Sequence, residues 1–252
     1  MAAAELRPQG EGAAQLGDRD ARVLAQQAGA IGQQRAGAVA AIQRVKNPIL
    51  VARKVMEETD HVMLAGEGAQ RFARIMGFGD HDPVTPERRA DWEQKRKDID
   101  KALGLRTRRF LKDHPEYAGG TVGAAAVDAN GVLAAATSTG GMTLKMVGRV
   151  GDSPIAGAGN YASRHVAASA TGTGEYVIRM LAARALSDAM ERGANVANAL
   201  DDVMGRLKRD FDADVGIIAV DSAGTPVARH LTRDMPHAWF AGDADIVSIM
   251  RA

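Results

Sequence analysis

A chain of 252 residues suits one larger α/β domain or two small ones and is long enough to bury a real core. A net charge of +1 and only 4% aromatic residues argue against a nucleic-acid or membrane surface, and no run approaches the roughly 18 apolar residues of a membrane span. The absence of cysteine excludes disulfides, thiolate metal sites and a thiol nucleophile, and fits a cytoplasmic protein.

The opening MAAAELRPQG lacks a basic start followed by an apolar run and does not read as a secretory signal. Residues 1–36 hold six of the nine glutamines and show no period-two pattern, only weak helical spacing around 21–28. They read as a low-complexity arm, disordered or loosely helical. AGAVAAIQRV is a short buried segment. NPILVARKVMEET is a helix, with Asn47 at the cap position, Pro48 in the first turn, and Ile49, Ala52, Val55 and Met56 in one apolar stripe. HVMLAG predicts a strand, and GAQRFARIMG a second helix closed by Gly77. Residues 79–118 are polar and read as an exposed linker, helical at most over 91–111, with Asp80, His81 and Asp82 in a solvated turn.

Strands dominate next. TVGAAAVDA and VLAAATST form a hairpin around Asn130-Gly131, and a glycine-rich loop then leads to a strand. HVAASATG is a further strand, GEYVIRMLAARALSDAMERG one helix, and NVANALDDVMGRLKRDF another. VGIIAVDSAGTPVARHLT closes the series as a hairpin turning at 222–225. This order predicts mixed sheets covered by helices, an α+β arrangement and not a doubly wound parallel sheet.

Thr121 is the first chemical candidate, because Gly119 and Gly120 precede it directly. If the Gly120–Thr121 bond is cut, the threonine's own α-amine, with a reference pKa of about 7.7–8.0, becomes the base its hydroxyl needs. Threonine opening a strand is also an ordinary structural feature. Further hydroxyls stand at Thr137, Thr139, Thr143, Thr171 and Thr173, where strand propensity competes with a role around an oxyanion. Thr171-Gly172 lies between a strand and a helix start, so a hydroxyl and an N–H could converge there. In GRVGDSP, Arg149 could hold a carboxylate and Asp152 an ammonium; the alternative is a surface ion pair. No G-x-G completes a nucleotide motif, and no histidine pair stands at i, i+4 for a metal.

GTVGAAAVDANGVLAAATSTGGMTLKMVGRVGDSPIAGAGNYA, followed by ATGTGEYVIRMLAARAL, closely resembles the plant-type L-asparaginase/isoaspartyl peptidase family of N-terminal nucleophile hydrolases. The likeness extends back over AGAVAAIQRVKNPILVARKVMEETDHVMLAGEGAQRFA. It implies a four-layer αββα sandwich, autocleavage between Gly120 and Thr121, and a dimer of αβ units. By position, Thr121 resembles the nucleophile and Thr139 the threonine that hydrogen-bonds it. Arg149 and Asp152 resemble the binders of the substrate's α-carboxylate and α-amine, and Thr171 and Gly172 the oxyanion hole. The implied reaction releases aspartate from asparagine or a β-aspartyl dipeptide, with no cofactor.

The chain departs from the family upstream. A first strand ending in His-Gly-Gly-Ala, an Asn-Ala-Gly motif and a sodium loop are missing, and the glutamine-rich residues 1–36 stand in their place. The explanation expected is a truncated start or an early segment read in a different frame. The expectation is a sheet lacking a strand next to the nucleophile, and an apolar edge left exposed. An asparagine that helps place the nucleophile would be lost with it. The alternative to an active enzyme is therefore an unprocessed remnant of the same fold. Downstream, Asp214-Val215-Gly216 and Leu231-Thr232-Arg233-Asp234-Met235 depart from the usual motifs, which bears on substrate preference.

Overall fold

The computed structural model describes residues 26–32, 35–83, 86–97, 121–142, 145, 148–240 and 247–249. Five strands form the first sheet: β1 (Gln26–Gly32), β2 (Arg35–Ile42), β3 (Met63–Ala65), β4 (Thr121–Val127) and β5 (Leu133–Thr139). Their order is β3-β2-β1-β5-β4. Only β2 and β3 pair in parallel, because helix α1 (Pro48–Glu58) carries the chain back between them. The second sheet has the order β6-β7-β8-β9, from β6 (Asn160–Ala162), β7 (Val166–Gly172), β8 (Val215–Asp221) and β9 (Pro226–His230). A small ladder joins β10 (His237–Trp239) to β11 (Val247–Ile249). Helices α2 (Gly66–Ile75), α3 (Pro86–Lys97), α4 (Gly174–Met180), α5 (Ala182–Glu191) and α6 (Val196–Phe211) complete the described elements.

Period-two alternation sorts each strand between two environments. Ala28 in β1 and Val39 in β2 bury against Val51, Ala52 and Val55 of α1 and Ala69 and Ala73 of α2. Their neighbour Ile31 faces the other way and packs with Leu133 and Ala135 of β5 and Ala167 of β7. In β7, Val166, Ala168 and Ala170 face the helices, packing with Leu186 of α5 and Leu200, Val203 and Leu207 of α6. Each such fully buried leucine contributes about 1.5–3 kcal/mol of burial. The two sheets thus face each other, with helices on their outer faces.

The sheets approach most closely at Gly123. A Cβ there would stand 2.1 Å from Ser169 Oγ, so β4 lies directly on β7 only because residue 123 has no side chain. Beside this point Thr137 and Ser169 bond across the sheets at 2.6 Å, and Thr137 Oγ1 also donates to Gly159 O at 3.1 Å. These bonds let two hydroxyls lie in an otherwise apolar interlayer.

Several expectations need correction. Gln26–Gly32 is not part of an arm: it is strand β1, inserted between β2 and β5 and paired antiparallel with both. Its small residues and amide side chains carry weak local signals but gain ladder bonds on both sides. The edge expected beside Thr121 is nevertheless present, because β4 ends the sheet, pairs only with β5 among the described residues, and leaves Val122 exposed. Residues 1–25 lie outside the described residues. Residues 174–191 are not one helix. Leu181, at φ 49°, separates α4 from α5. The Ala183 and Arg184 amides, free at the start of α5, donate to Ala158 and Gly157 carbonyls at 3.2 and 2.8 Å. Tertiary acceptors thus replace the missing intrahelical ones. Asp80 is not merely solvated: Arg44 Nε and Arg74 Nη2 donate to its Oδ1 at 2.7 and 2.9 Å. Of the expected linker, α3 extends to Lys97, and residues 98–120 lie outside the described residues.

The hairpins stand where their turn residues predict. Gly131, at φ 77°, completes the β4–β5 turn, in which Asp128 Oδ1 accepts from the Asn130 and Val132 amides. Pro48 opens α1, with Asn47 at the cap position but without a side-chain cap bond. No helix among the described residues is long and apolar enough to cross a membrane.

Candidate active site

The inner faces of the two sheets carry one register to a common end. Gly123 pairs with Thr137, and Thr137 pairs with Gly29. Two residues further along, and therefore on the same face, Thr121 pairs with Thr139 and Thr139 with Gln27. On β7, Thr171 lies two residues beyond Ser169, which contacts Gly123 and Thr137. Thr121 opens β4, and its hydroxyl donates to Thr139 Oγ1 at 3.4 Å. Gly120, the other side of the expected cleavage bond, lies outside the described residues, as does Thr143.

The loop after β5 returns over this end. The Gly141 amide donates to Thr139 Oγ1 at 2.9 Å, fixing that hydroxyl from the other side. The Gly151 amide donates to Gln27 Oε1 at 2.9 Å, which ties the loop to β1. Gly174, at the start of α4, packs against the same loop: a Cβ there would stand 2.5 Å from Asp152 Oδ1 and 3.2 Å from Arg149 Nη2. Thr171 and Gly172 end β7 just before this contact. Gly172 has φ 119°, and a Cβ on it would lie 2.2 Å from Asp214 O, so only glycine fits there. Thr173 occupies the cap position of α4 without a side-chain cap bond; its amide donates to Asp214 O at 3.1 Å.

Arg149 and Asp152 share the loop but are not hydrogen-bonded to each other. Arg149 Nε and Nη2 donate to both carboxylate oxygens of Glu175, at 2.9 and 2.8 Å. Nη2 also approaches Met142 Sδ at 3.4 Å. The Arg149 side chain is 14% exposed and that of Glu175 48%, so the pair sits with its anion outward. Burial pushes Glu175 upward, but the hydrogen bonds and charge of Arg149 outweigh it and hold this carboxyl below its usual range.

Asp152 is buried, and its Oδ2 has no hydrogen-bond partner. Burial raises its pKa to about 6, against the nearby charge of Arg149. A buried carboxylate oxygen without a donor is costly, and a cationic ligand group would satisfy it. Lys145 is also buried; its ammonium donates to Gly140 O, and burial followed by the charge of Arg149 lowers its pKa to about 8. The site therefore combines paired threonine hydroxyls, an anchored guanidinium, an unsatisfied carboxylate and a buried ammonium.

Reading the sequence missed three of these groups. Gln27 was hidden in a glutamine-rich stretch; its signal was the small, apolar run Ala28-Gly29-Ala30-Ile31 beside it. It places a buried carboxamide opposite Thr139, bonded to the Gly151 amide. Glu175 gave only the signal of an acid in a first helical turn, and Lys145 none beyond a lone cation in a glycine-rich loop.

The asparaginase family profile matches residues 29–249. The plant-type L-asparaginase of Pyrococcus abyssi is 47% identical over 208 residues, which cover 81% of this chain and 68% of the relative. The isoaspartyl peptidase of Escherichia coli is 41% identical over 220 residues, covering 86% and 68%. The isoaspartyl peptidase/L-asparaginase of Xenopus laevis is 39% identical over 222 residues, covering 84% and 66%.

Proposed function

This chain belongs to the asparaginase family, a family of hydrolases, and from that premise we propose that it is a self-processing threonine amidohydrolase releasing L-aspartate from L-asparagine or β-aspartyl dipeptides. One observation carries the reading: the Thr121 hydroxyl, at the first residue of β4, is bonded to Thr139 at the end of the sheets where Arg149 and Asp152 also lie. The two facing sheets with outer helices support a four-layer αββα sandwich. The regular β4–β5 ladder beside Thr121 supports an active enzyme, while the unpaired outer edge of β4 is what favours the alternative, an unprocessed remnant. A cytoplasmic setting and a dimer of αβ units belong to the same proposal.

In the intact chain the Thr121 nitrogen is an amide and cannot accept a proton. Attack of Oγ1 on the Gly120 carbonyl transfers the acyl group from nitrogen to oxygen, breaking the C–N bond and freeing the α-amine; water then cleaves the ester, releasing the Gly120 carboxylate and regenerating the Thr121 hydroxyl. That amine takes the hydroxyl proton as Oγ1 attacks the substrate's side-chain amide carbonyl. Thr171 and the Gly172 N–H stabilise the resulting oxyanion. The proton passes to the leaving ammonia or amine, and water hydrolyses the acyl-threonine to aspartate. Arg149 binds the substrate α-carboxylate, and Asp152 Oδ2 receives its α-ammonium.

Intact-mass analysis of purified protein tests this reading, with aspartate release from L-asparagine and a β-aspartyl dipeptide measured beside it. The expected result is two fragments, the second beginning at Thr121, with both processing and hydrolysis abolished by Thr121→Ala. A single uncleaved, inactive chain would support the remnant. Cleavage at this bond in Thr121→Ala would overturn the mechanism.

A further inference from the structure

The Gly140–Gly141 peptide is held at both ends by site residues. Its carbonyl, on Gly140, accepts from the Lys145 ammonium. Its N–H, on Gly141, donates to Thr139 Oγ1 at 2.9 Å. Thr139 Oγ1 in turn meets Thr121 Oγ1 at 3.4 Å. The Lys145 side chain is laid along Gly141: Nζ, Cδ and Cε all lie 3.1–3.3 Å from the position of a Cβ on that residue, whose φ is 78°. Only 8% of Lys145 is exposed, so its charge is little screened by solvent.

We propose that Lys145 is a positioning residue for the nucleophile, acting through one peptide unit on the Thr139 hydroxyl that contacts Thr121. An ammonium on the carbonyl oxygen polarises the peptide and makes its N–H a stronger donor, since bonds in such a chain reinforce one another. That N–H occupies one lone pair of Thr139 Oγ1 and restricts the rotation of its hydroxyl. When Thr121 Oγ1 loses its proton, the Thr139 hydroxyl can donate to it. Negative charge developing on Thr121 is then opposed by a fixed relay of ammonium, peptide and hydroxyl. Lys145 acts through Gly140 O and is not itself a reacting group. A buried cation beside Arg149 costs desolvation and repulsion, as its lowered pKa of about 8 reflects, and the relay gives that cost a use.

The inference rests on Thr121 and Thr139 acting as proposed above, and the test separates the two. Full-length wild type, Lys145→Met, Lys145→Arg, Thr139→Ala and Lys145→Met/Thr139→Ala are compared for processing rate, kcat and KM with L-asparagine, alongside thermal melts. Lys145→Met keeps much of the stem without the charge. It is expected to lower kcat and the processing rate about tenfold or more, with KM within about twofold of wild type. Lys145→Arg should recover a substantial part of that loss, and Lys145→Met should add little in the Thr139→Ala background. A folded Lys145→Met with wild-type kcat would overturn the inference alone. So would full additivity with Thr139→Ala, or, if Lys145→Met does not fold, a folded Lys145→Arg as impaired as Thr139→Ala. A wild type whose activity survives Thr121→Ala would instead overturn the underlying reading, and this inference with it.

Discussion

Gln27 stands directly opposite Thr139 in the β1–β5 ladder, and from there its side-chain oxygen accepts from the Gly151 amide at 2.9 Å. One buried carboxamide thereby links β1, which β5 separates from β4, to the loop that carries Arg149 and Asp152. Gln27→Ala leaves the Gly151 N–H buried without its partner, at a cost of about 1–3 kcal/mol. The expected outcome in denaturant titrations is a loss of stability of that order. In steady-state kinetics KM for L-asparagine should rise more than kcat falls, because the loop proposed to bind the substrate's ends is released while the threonine pair is retained.

Asp152 should impose a pH dependence of opposite sign on stability and on binding. Its folded pKa, about 6, lies above the usual aspartate value of 3.8, so the folded state holds the proton more tightly. The stability this contributes is fully present below the unfolded pKa and is lost as pH rises through about 6. Ammonium binding needs the ionised form, so KM should rise as pH falls below about 6. Asp152→Asn removes the ionisation. Melts at pH 5 and pH 8 should show the variant gaining on wild type at the higher pH, while its KM at pH 8 is far above the wild-type value. An Asp152→Asn variant that binds substrate normally would count against an ammonium partner.

Thr139 accepts from Gly141 and meets the Thr121 hydroxyl, so its oxygen and its methyl group are separable. Thr139→Val keeps the shape and removes the oxygen. A loss of about 10²-fold in kcat is expected, the scale of removing one donor to a developing oxyanion. Thr139→Ser keeps the hydroxyl and should retain most activity. Equal activity in the two variants, measured by aspartate release, would leave the hydroxyl without a catalytic part.

Gly123 sets the spacing of the sheets. Gly123→Ala places a methyl 2.1 Å from Ser169 Oγ and 2.8 Å from its Cβ, so the interlayer must shift. Overpacking of this kind costs about 1–3 kcal/mol. Ser169→Gly removes the clashing atoms, and the double variant should recover part of the loss in equilibrium unfolding. Failure of that rescue would mean the cost arises within β4 itself.

The hairpin strands β4 and β5, the strand pair β7 and β8, and the helices α1, α2 and α6 were legible because their apolar periods and turn residues are local properties. Thr121, Arg149 and Asp152 stood out as candidates for a related reason: each stands in a short stretch whose residue types already limit its chemistry. Strand β1 was not. Gln26, Gln27 and their small neighbours carry little strand propensity, and they form a strand only because β2 and β5 supply ladder partners on both edges.

The sequence by itself determined the family, the α+β order of the elements and the residue that could become an N-terminal nucleophile, since these depend on residues close together in the chain. Tertiary structure alone decided that Gln27 reaches Gly151, that Glu175 holds Arg149, that Lys145 lies on Gly140, and that α4 ends at Leu181. The physical reason is the same in each case. A buried polar group takes whichever partner folding brings within about 3 Å, and those partners lie as far as 124 positions away along the chain.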